Sequence, residues 1–378
     1  MADFFDYLNW RGDLSFKTVP FNKIDALLLA QLSYNLFDGV VSSDFKGRKT
    51  FAQVAKDFAA LPDYEERINI GFLINKRTAE LMFKTAESER FRNIQLCGFR
   101  SIYSEENVEQ FAAITFIIEG KPVIALRGTD DTIVGWKEDF NIAWLPQIPA
   151  QKDALEYFSE AAGALKGDFI LVGHSKGGNL VINTAAGCGK KLQKRINKVF
   201  NFDGPGFAQS FFETDSYKAV EDRIYSFYPE FSVVGMIFHH PKFYEIVKSN
   251  AFAFWQHDPM SWQLSAKDFI NAGDFTDESK LFHSAFNEWI DKLDVEQKKR
   301  FVDTMFCILE ASGAKTNNEL EKDALKATAK MLAAYAELDK DRKKELHDIL
   351  GMFKDVIADD IPIFKPLVLL KNNLRIIG

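Results

Sequence analysis

One stretch, FILVGHSKGGN from Phe169 to Asn179, restricts the fold of this chain more than any other. The apolar run Phe169 to Val172 has the length of a short buried strand, and Gly173-His174-Ser175-Lys176-Gly177 follows it without a spacer. A serine at the apex of a strand-to-helix turn holds a strained backbone, so the residues two places before and after it must lack bulk. Gly173 and Gly177 meet that demand. Such a turn lifts the hydroxyl clear of the sheet. The N–H groups that follow, that of Lys176 first, open a helix whose dipole favours negative charge. A five-residue pattern with three fixed positions also arises by chance, and it is the preceding apolar run that singles this one out. The segment predicts a nucleophile at Ser175, with Lys176 as a backbone oxyanion donor.

The flanking sequence supplies a sheet for the turn to stand on. Strands are expected over Ile94–Tyr103, Gln110–Ile118 and Pro122–Leu126, with Glu119-Gly120-Lys121 as a hairpin turn. The third runs into Arg127-Gly128-Thr129-Asp130-Asp131, where the N–H and hydroxyl of Thr129 can serve as a second oxyanion donor; the other reading is a plain polar turn. Lys152–Leu165 has helical periodicity. Arg195–Phe202 is a strand ending at Asp203-Gly204-Pro205-Gly206, and Arg223–Tyr228 is another. This alternation predicts an α/β class fold with a mostly parallel, doubly wound sheet whose ligands bind at the carboxyl ends of the strands.

Three regions follow. Residues 1–90 form an N-terminal helical segment that packs on or covers the core, with helices expected over Phe21–Leu32, entered from Pro20, over Thr50–Ala60, and one or two between Tyr64 and Ala86, a span including Phe72 and Leu73. Residues 91–263 form the core. Residues 264–378 form a C-terminal helical region with apolar stripes, one carrying Leu281, Phe282, Phe286, Trp289 and Ile290, another Phe301, Val302, Met305 and Phe306, and a later one Leu346, Ile349, Leu350 and Phe353. The stripes read as core seams, and the proline-broken segment 361–370 as a tail docked on the body.

A serine hydroxyl is a weak nucleophile until a base takes its proton, so a histidine oriented by a carboxylate must lie within reach. Of the six histidines, His174 is expected to point away from the hydroxyl, and His283 and His347 lie on charged helices and read as solvated. His257 is preferred over His240 because it follows an apolar segment late in the core, giving the chain order serine, acid, histidine. Asp203 is preferred as the acid because it ends the strand after the serine; Glu230 is the fallback. Asp258 is too close in sequence to His257 to reach its ring without an unusual turn.

Net charge and cysteines narrow the partners. A formal charge of -7 with no dominant basic cluster argues against a nucleic-acid surface. Cys97, Cys188 and Cys307 are widely spaced, which fits neither a disulfide framework nor a metal site, and suits a reducing cytoplasm. The acidic, aromatic N-terminus is unlike a signal peptide, and no run is long enough to span a bilayer, leaving at most transient contact with a membrane surface. No metal or organic cofactor is required, and the oligomeric state is not set by the sequence.

Assembled in this order, the segments LRGTD (Leu126–Asp130), WKEDF (Trp136–Phe140), GHSKGG, NFDGPGF (Asn201–Phe207) and QHDPMSW (Gln256–Trp262) resemble the class 3 (fungal-type) lipases and, more closely, an uncharacterised bacterial family of lipase-like α/β-hydrolases. The N-terminal YLNWRGDLSF, Tyr7–Phe16, is similar to that bacterial family as well. The resemblance implies Ser175 as nucleophile, His257 as base and the Thr129 loop as oxyanion loop. Two departures stand out. Serine occupies position 232, where class 3 lipases place their acid, and Lys176 replaces an apolar residue, which suggests a polar or anionic head group near its ammonium. The expectation is a serine hydrolase that cleaves a carboxylic ester of a small-molecule lipid or acyl substrate through an acyl-enzyme. The alternatives are a non-catalytic acyl-binding or scaffold protein, and a thioesterase or acyltransferase using the same residues.

Overall fold

Within the sheet, successive residues of each buried strand face opposite sides, so a continuous apolar run serves two layers at once. Val123, Ala125, Ile170 and Val172 join one core, and Ile124, Leu126, Phe169 and Leu171 join another on the far face. The computed structural model describes residues 2–71 and 74–352. Phe72, Leu73, Phe353 and the segment 361–370 lie outside the described residues, as do the side chains of Ile349 and Leu350.

Among the described residues the sheet has eight strands: β1 (Lys49–Thr50), β2 (Gln95–Ser104), β3 (Glu109–Ile118), β4 (Lys121–Leu126), β5 (Phe169–His174), β6 (Ile196–Phe202), β7 (Ile224–Pro229) and β8 (Tyr244–Val247). They lie side by side in chain order. β1 to β4 pair antiparallel, and β4 to β8 pair parallel. The doubly wound expectation is therefore corrected, because strand order never reverses. Parallel strands added in one direction by crossovers of one hand place every crossover helix on the same face, and the helices Pro149–Ala164 and Lys176–Gly187 both pack there. The other face is covered by the N-terminal helices instead.

Those N-terminal helices are defined by their caps. The expected Phe21–Leu32 helix begins at Lys23, because Asn22 takes the cap: its Oδ1 accepts the Ile24 N–H at 2.8 Å while Asp25 Oδ2 accepts the Asn22 N–H at 2.9 Å. Asp25 also pairs with the buried Arg90 at 2.5 Å, tying this helix to the start of β2. Among the described residues, the Tyr64–Ala86 span holds two helices, Tyr64–Arg67 and Thr78–Glu87. The C-terminal helices Asp277–Lys292, Val295–Ala311, Ala324–Glu337 and Lys340–Met352 build a third core with Ile133, which opens the helix Ile133–Asn141, and with Val233 and Met236 from the connection after β7. Leu281, assigned to that seam by periodicity, is instead 57% exposed.

Candidate active site

The site sits at the carboxyl ends of β4, β5 and β6. Ser175 has φ 58° and ψ −134°, a conformation that L-residues rarely adopt. Its neighbours explain how the strain is held. A Cβ on Gly173 would lie 2.1 Å from the Gly177 carbonyl oxygen, and one on Gly177 would lie 2.1 Å from that of Leu126. Either contact is impossible without moving the backbone, so both glycines are required by close approach.

Asp203 follows β6 as Ser175 follows β5, also at positive φ, 49°. Its side chain is fully buried and makes two short contacts: Oδ2 lies 2.6 Å from His257 Nδ1, and Oδ1 accepts the Ser232 hydroxyl at 2.5 Å. The serine at position 232 thus holds the second oxygen of Asp203. Glu230 instead uses its backbone N–H on the Val247 carbonyl, and Asp258 accepts from Asn75 Nδ2 at 2.6 Å. His240 packs among Tyr228, Tyr244, Phe275 and His283. His283 is half-buried with Nδ1 2.8 Å from the Met236 carbonyl oxygen, whereas His347 is exposed.

His174, expected to point away from the hydroxyl, has both ring nitrogens engaged by other partners. It is buried, its ring centroid is 4.6 Å from that of His257, and its Nε2 lies 2.8 Å from the His257 carbonyl oxygen. A carbonyl can only accept, so Nε2 carries the proton and Nδ1 is left to accept from Tyr34 OH at 3.1 Å. Burial, reinforced by the nearby His257, holds the His174 pKa well below its ordinary value of 6.5. The ring is thus a neutral strut that holds the backbone of His257. Its sequence signal was its place inside the elbow, directly after a continuously apolar strand.

The oxyanion side is more constrained than expected. A Cβ on Gly128 would lie 3.0 Å from Ser175 Cβ, so the β4 loop runs against the serine. The Thr129 hydroxyl is committed, donating to Asp139 Oδ2 at 2.5 Å, which removes it as an oxyanion donor and leaves its N–H. Lys176 opens its helix, so its N–H has no intrahelical acceptor. Its ammonium does not face a head group. Fully buried, it lies 2.8 Å from Glu138 Oε2 and 2.7 Å from the Gln110 carbonyl oxygen, beneath the elbow. Burial pushes the Asp139 carboxyl up to about 7, although Lys176 and the Thr129 hydroxyl pull the other way.

Ser175 and His257 line a cavity with about 120 Å³ of water-sized free space. Of the six histidines, His174 and His257 are the ones that line it. Gln31, Tyr34 and Asn75 contribute from the N-terminal segment, while Phe282, Phe286, Trp289, Phe301 and Val302 come from the stripes read as core seams. Those stripes are therefore cavity wall as well as core. Among the described residues, no group of three or more His, Cys, Asp or Glu is placed to hold a metal ion, and no helix is long and apolar enough to cross a membrane.

Comparison with known proteins follows this geometry. No curated protein matches the chain. Among solved structures, the crystal structure of M37 lipase is similar at 14% identity with a TM-score of 0.36, over 57% of this chain and 70% of that one. The model of one family, Mbeg1-like, matches residues 85–307, which is more than half of the sequence and spans the elbow, Asp203 and His257. The chain belongs to the Mbeg1-like family, a lipase-like family.

Proposed function

We propose that this protein is a serine hydrolase that cleaves a carboxylic ester with a lipid-like acyl chain through an acyl-enzyme. Ser175 Oγ attacks the acyl carbonyl while His257 Nε2 takes its proton. Asp203 holds Nδ1 of the same ring and stabilises the imidazolium. The N–H groups of Thr129 and Lys176 receive the developing oxyanion. The alcohol leaves with the proton from His257, and a water activated by the same nitrogen releases the acid. The aromatic wall of the cavity takes the acyl chain.

The observation that carries this reading is the 2.6 Å contact between His257 Nδ1 and a wholly buried Asp203, at the same strand ends as a serine held at φ 58°. A buried carboxylate facing one imidazole nitrogen leaves the other free to serve as base. The test is intact-mass analysis after fluorophosphonate treatment of the wild type and of Ser175→Ala. A single adduct, absent from the variant, is expected. Folded wild-type protein that takes up no adduct would overturn the assignment.

A further inference from the structure

Gln31 lies in the cavity wall, yet the chemistry above gives it no part. Its side chain is 2% exposed. The orientation of its amide follows from its neighbours. Thr78 Oγ1 donates its hydrogen to the Asn75 carbonyl at 2.7 Å, so toward Gln31 it can only accept, and Gln31 Nε2 lies 2.8 Å from it. The other amide atom, Oε1, is thereby fixed as an acceptor, and it has no partner among the described residues. A buried amide oxygen without a donor is disfavoured unless something bound beside it supplies one.

The surroundings indicate what that donor belongs to. Tyr34, three residues on, holds His174. Asn75 donates to Asp258, the neighbour of His257, whose other oxygen accepts the Met260 N–H at 3.0 Å. Tyr34 and Asp258 are thus engaged, and Gln31 Oε1 is the acceptor left over beside them; the other unpartnered acceptor in the cavity wall, Asp139 Oδ1, lies 3.8 Å from the Lys176 ammonium. An acyl chain has no hydrogen-bond donor to offer. The alcohol half of an ester can have one.

Resting on the hydrolase reading, we propose that Gln31 is a specificity-determining residue of a leaving-group subsite, and that its Oε1 accepts a hydrogen bond from a second hydroxyl on the alcohol. The favoured substrates are then partial esters of a polyol rather than esters of a simple alcohol.

The test compares 2-hydroxyethyl butyrate with propyl butyrate, which has the same number of heavy atoms and a methyl in place of the hydroxyl. With the full-length wild type, kcat/KM should favour the hydroxyethyl ester by about tenfold or more. Gln31→Met, which keeps the length and removes the acceptor, should bring the ratio close to unity. Gln31→Glu, which retains an acceptor, should keep the preference. Turnover of both esters at equal efficiency by the wild type would overturn the subsite and leave the hydrolase reading standing. A ratio unchanged in Gln31→Met would overturn it too, since a purely structural role lowers both rates together. Failure to hydrolyse either ester, with no fluorophosphonate adduct, would remove the hydrolase reading and this subsite with it.

Discussion

Asp203→Asn separates the orienting role of this residue from its mere presence, because Ser232 decides which way the new amide faces. In the native site the Ser232 hydroxyl donates to Oδ1 and His257 Nδ1 meets Oδ2. An asparagine can keep the first contact only by turning its oxygen toward Ser232. Its NH2 then points at His257 Nδ1 and locks the proton on Nε2, the nitrogen that must accept from Ser175. The flipped amide would restore the productive tautomer but leave the buried Ser232 hydroxyl hydrogen without an acceptor, at about 1–3 kcal/mol. That penalty restricts the productive form to between about one part in five and about one part in 150. Loss of the carboxylate charge facing the imidazolium adds to it, and an overall fall in kcat of about 10³–10⁴ is expected. The reasoning makes an unusual demand on the double variant. Asp203→Asn with Ser232→Ala removes the penalty on the flipped amide, so it should be about tenfold more active than Asp203→Asn alone, although Ser232→Ala by itself is deleterious. Steady-state hydrolysis of a short-chain chromogenic ester by all four proteins gives the cycle. A double variant no faster than Asp203→Asn would refute the role given to Ser232, and wild-type turnover by Asp203→Asn would refute the acid assignment itself.

Two further outcomes follow from the buried charges. His174 stays neutral in the folded protein below 6.5, where the unfolded chain takes up a proton, so it makes stability fall as pH drops through 6.5 and until its own depressed pKa is reached. In urea unfolding across that range, His174→Gln should therefore lose stability less steeply than the wild type, by about 1.4 kcal/mol per pH unit; equal slopes would mean that His174 is charged in the native state. Lys176→Met strands Glu138 without its cation and should destabilise by about 3–5 kcal/mol, whereas adding Glu138→Gln should recover much of that loss. Denaturant midpoints of the two variants decide it, and a double variant no more stable than Lys176→Met would show that the pair is not the origin of the loss.

How much of this was legible in the sequence depended on whether a residue's role was local. The elbow could be read because its strain is met by glycines two places away, and β5 and β6 because strands buried on both faces are continuously apolar. β8, Tyr244–Val247, was missed: it is short, its first two residues are exposed, and Glu245 interrupts it. The stripes at Phe282, Phe286 and Trp289 were identified, but a 3.6-residue period is the same whether the face meets a neighbouring helix or an open cavity. His257 was reached by chain order and Asp203 by its place at the end of the strand after the elbow, and the structure brings their side chains together. Tyr34 and Gln31 had no such signal, since each matters only through residues far away in sequence that the fold brings beside it; Ser232 stood out as a departure, but its contact with Asp203 did not. Lys176 was noticed as a departure, but its direction was not, because the identity of a side chain does not say on which side of a helix start it will find its counter-ion.

The uninterrupted strand order has a consequence for synthesis. Each strand from β2 to β8 pairs with the one before it, so the growing polypeptide can extend the sheet at one edge without reopening a finished pair to admit a later strand. The helices bearing Phe282, Phe286, Trp289 and Phe301 are translated after all the strands β1 to β8. Until they dock, the nascent protein holds an assembled elbow beneath an unroofed apolar trough, and it is in this interval that it is most exposed to aggregation and to capture by chaperones.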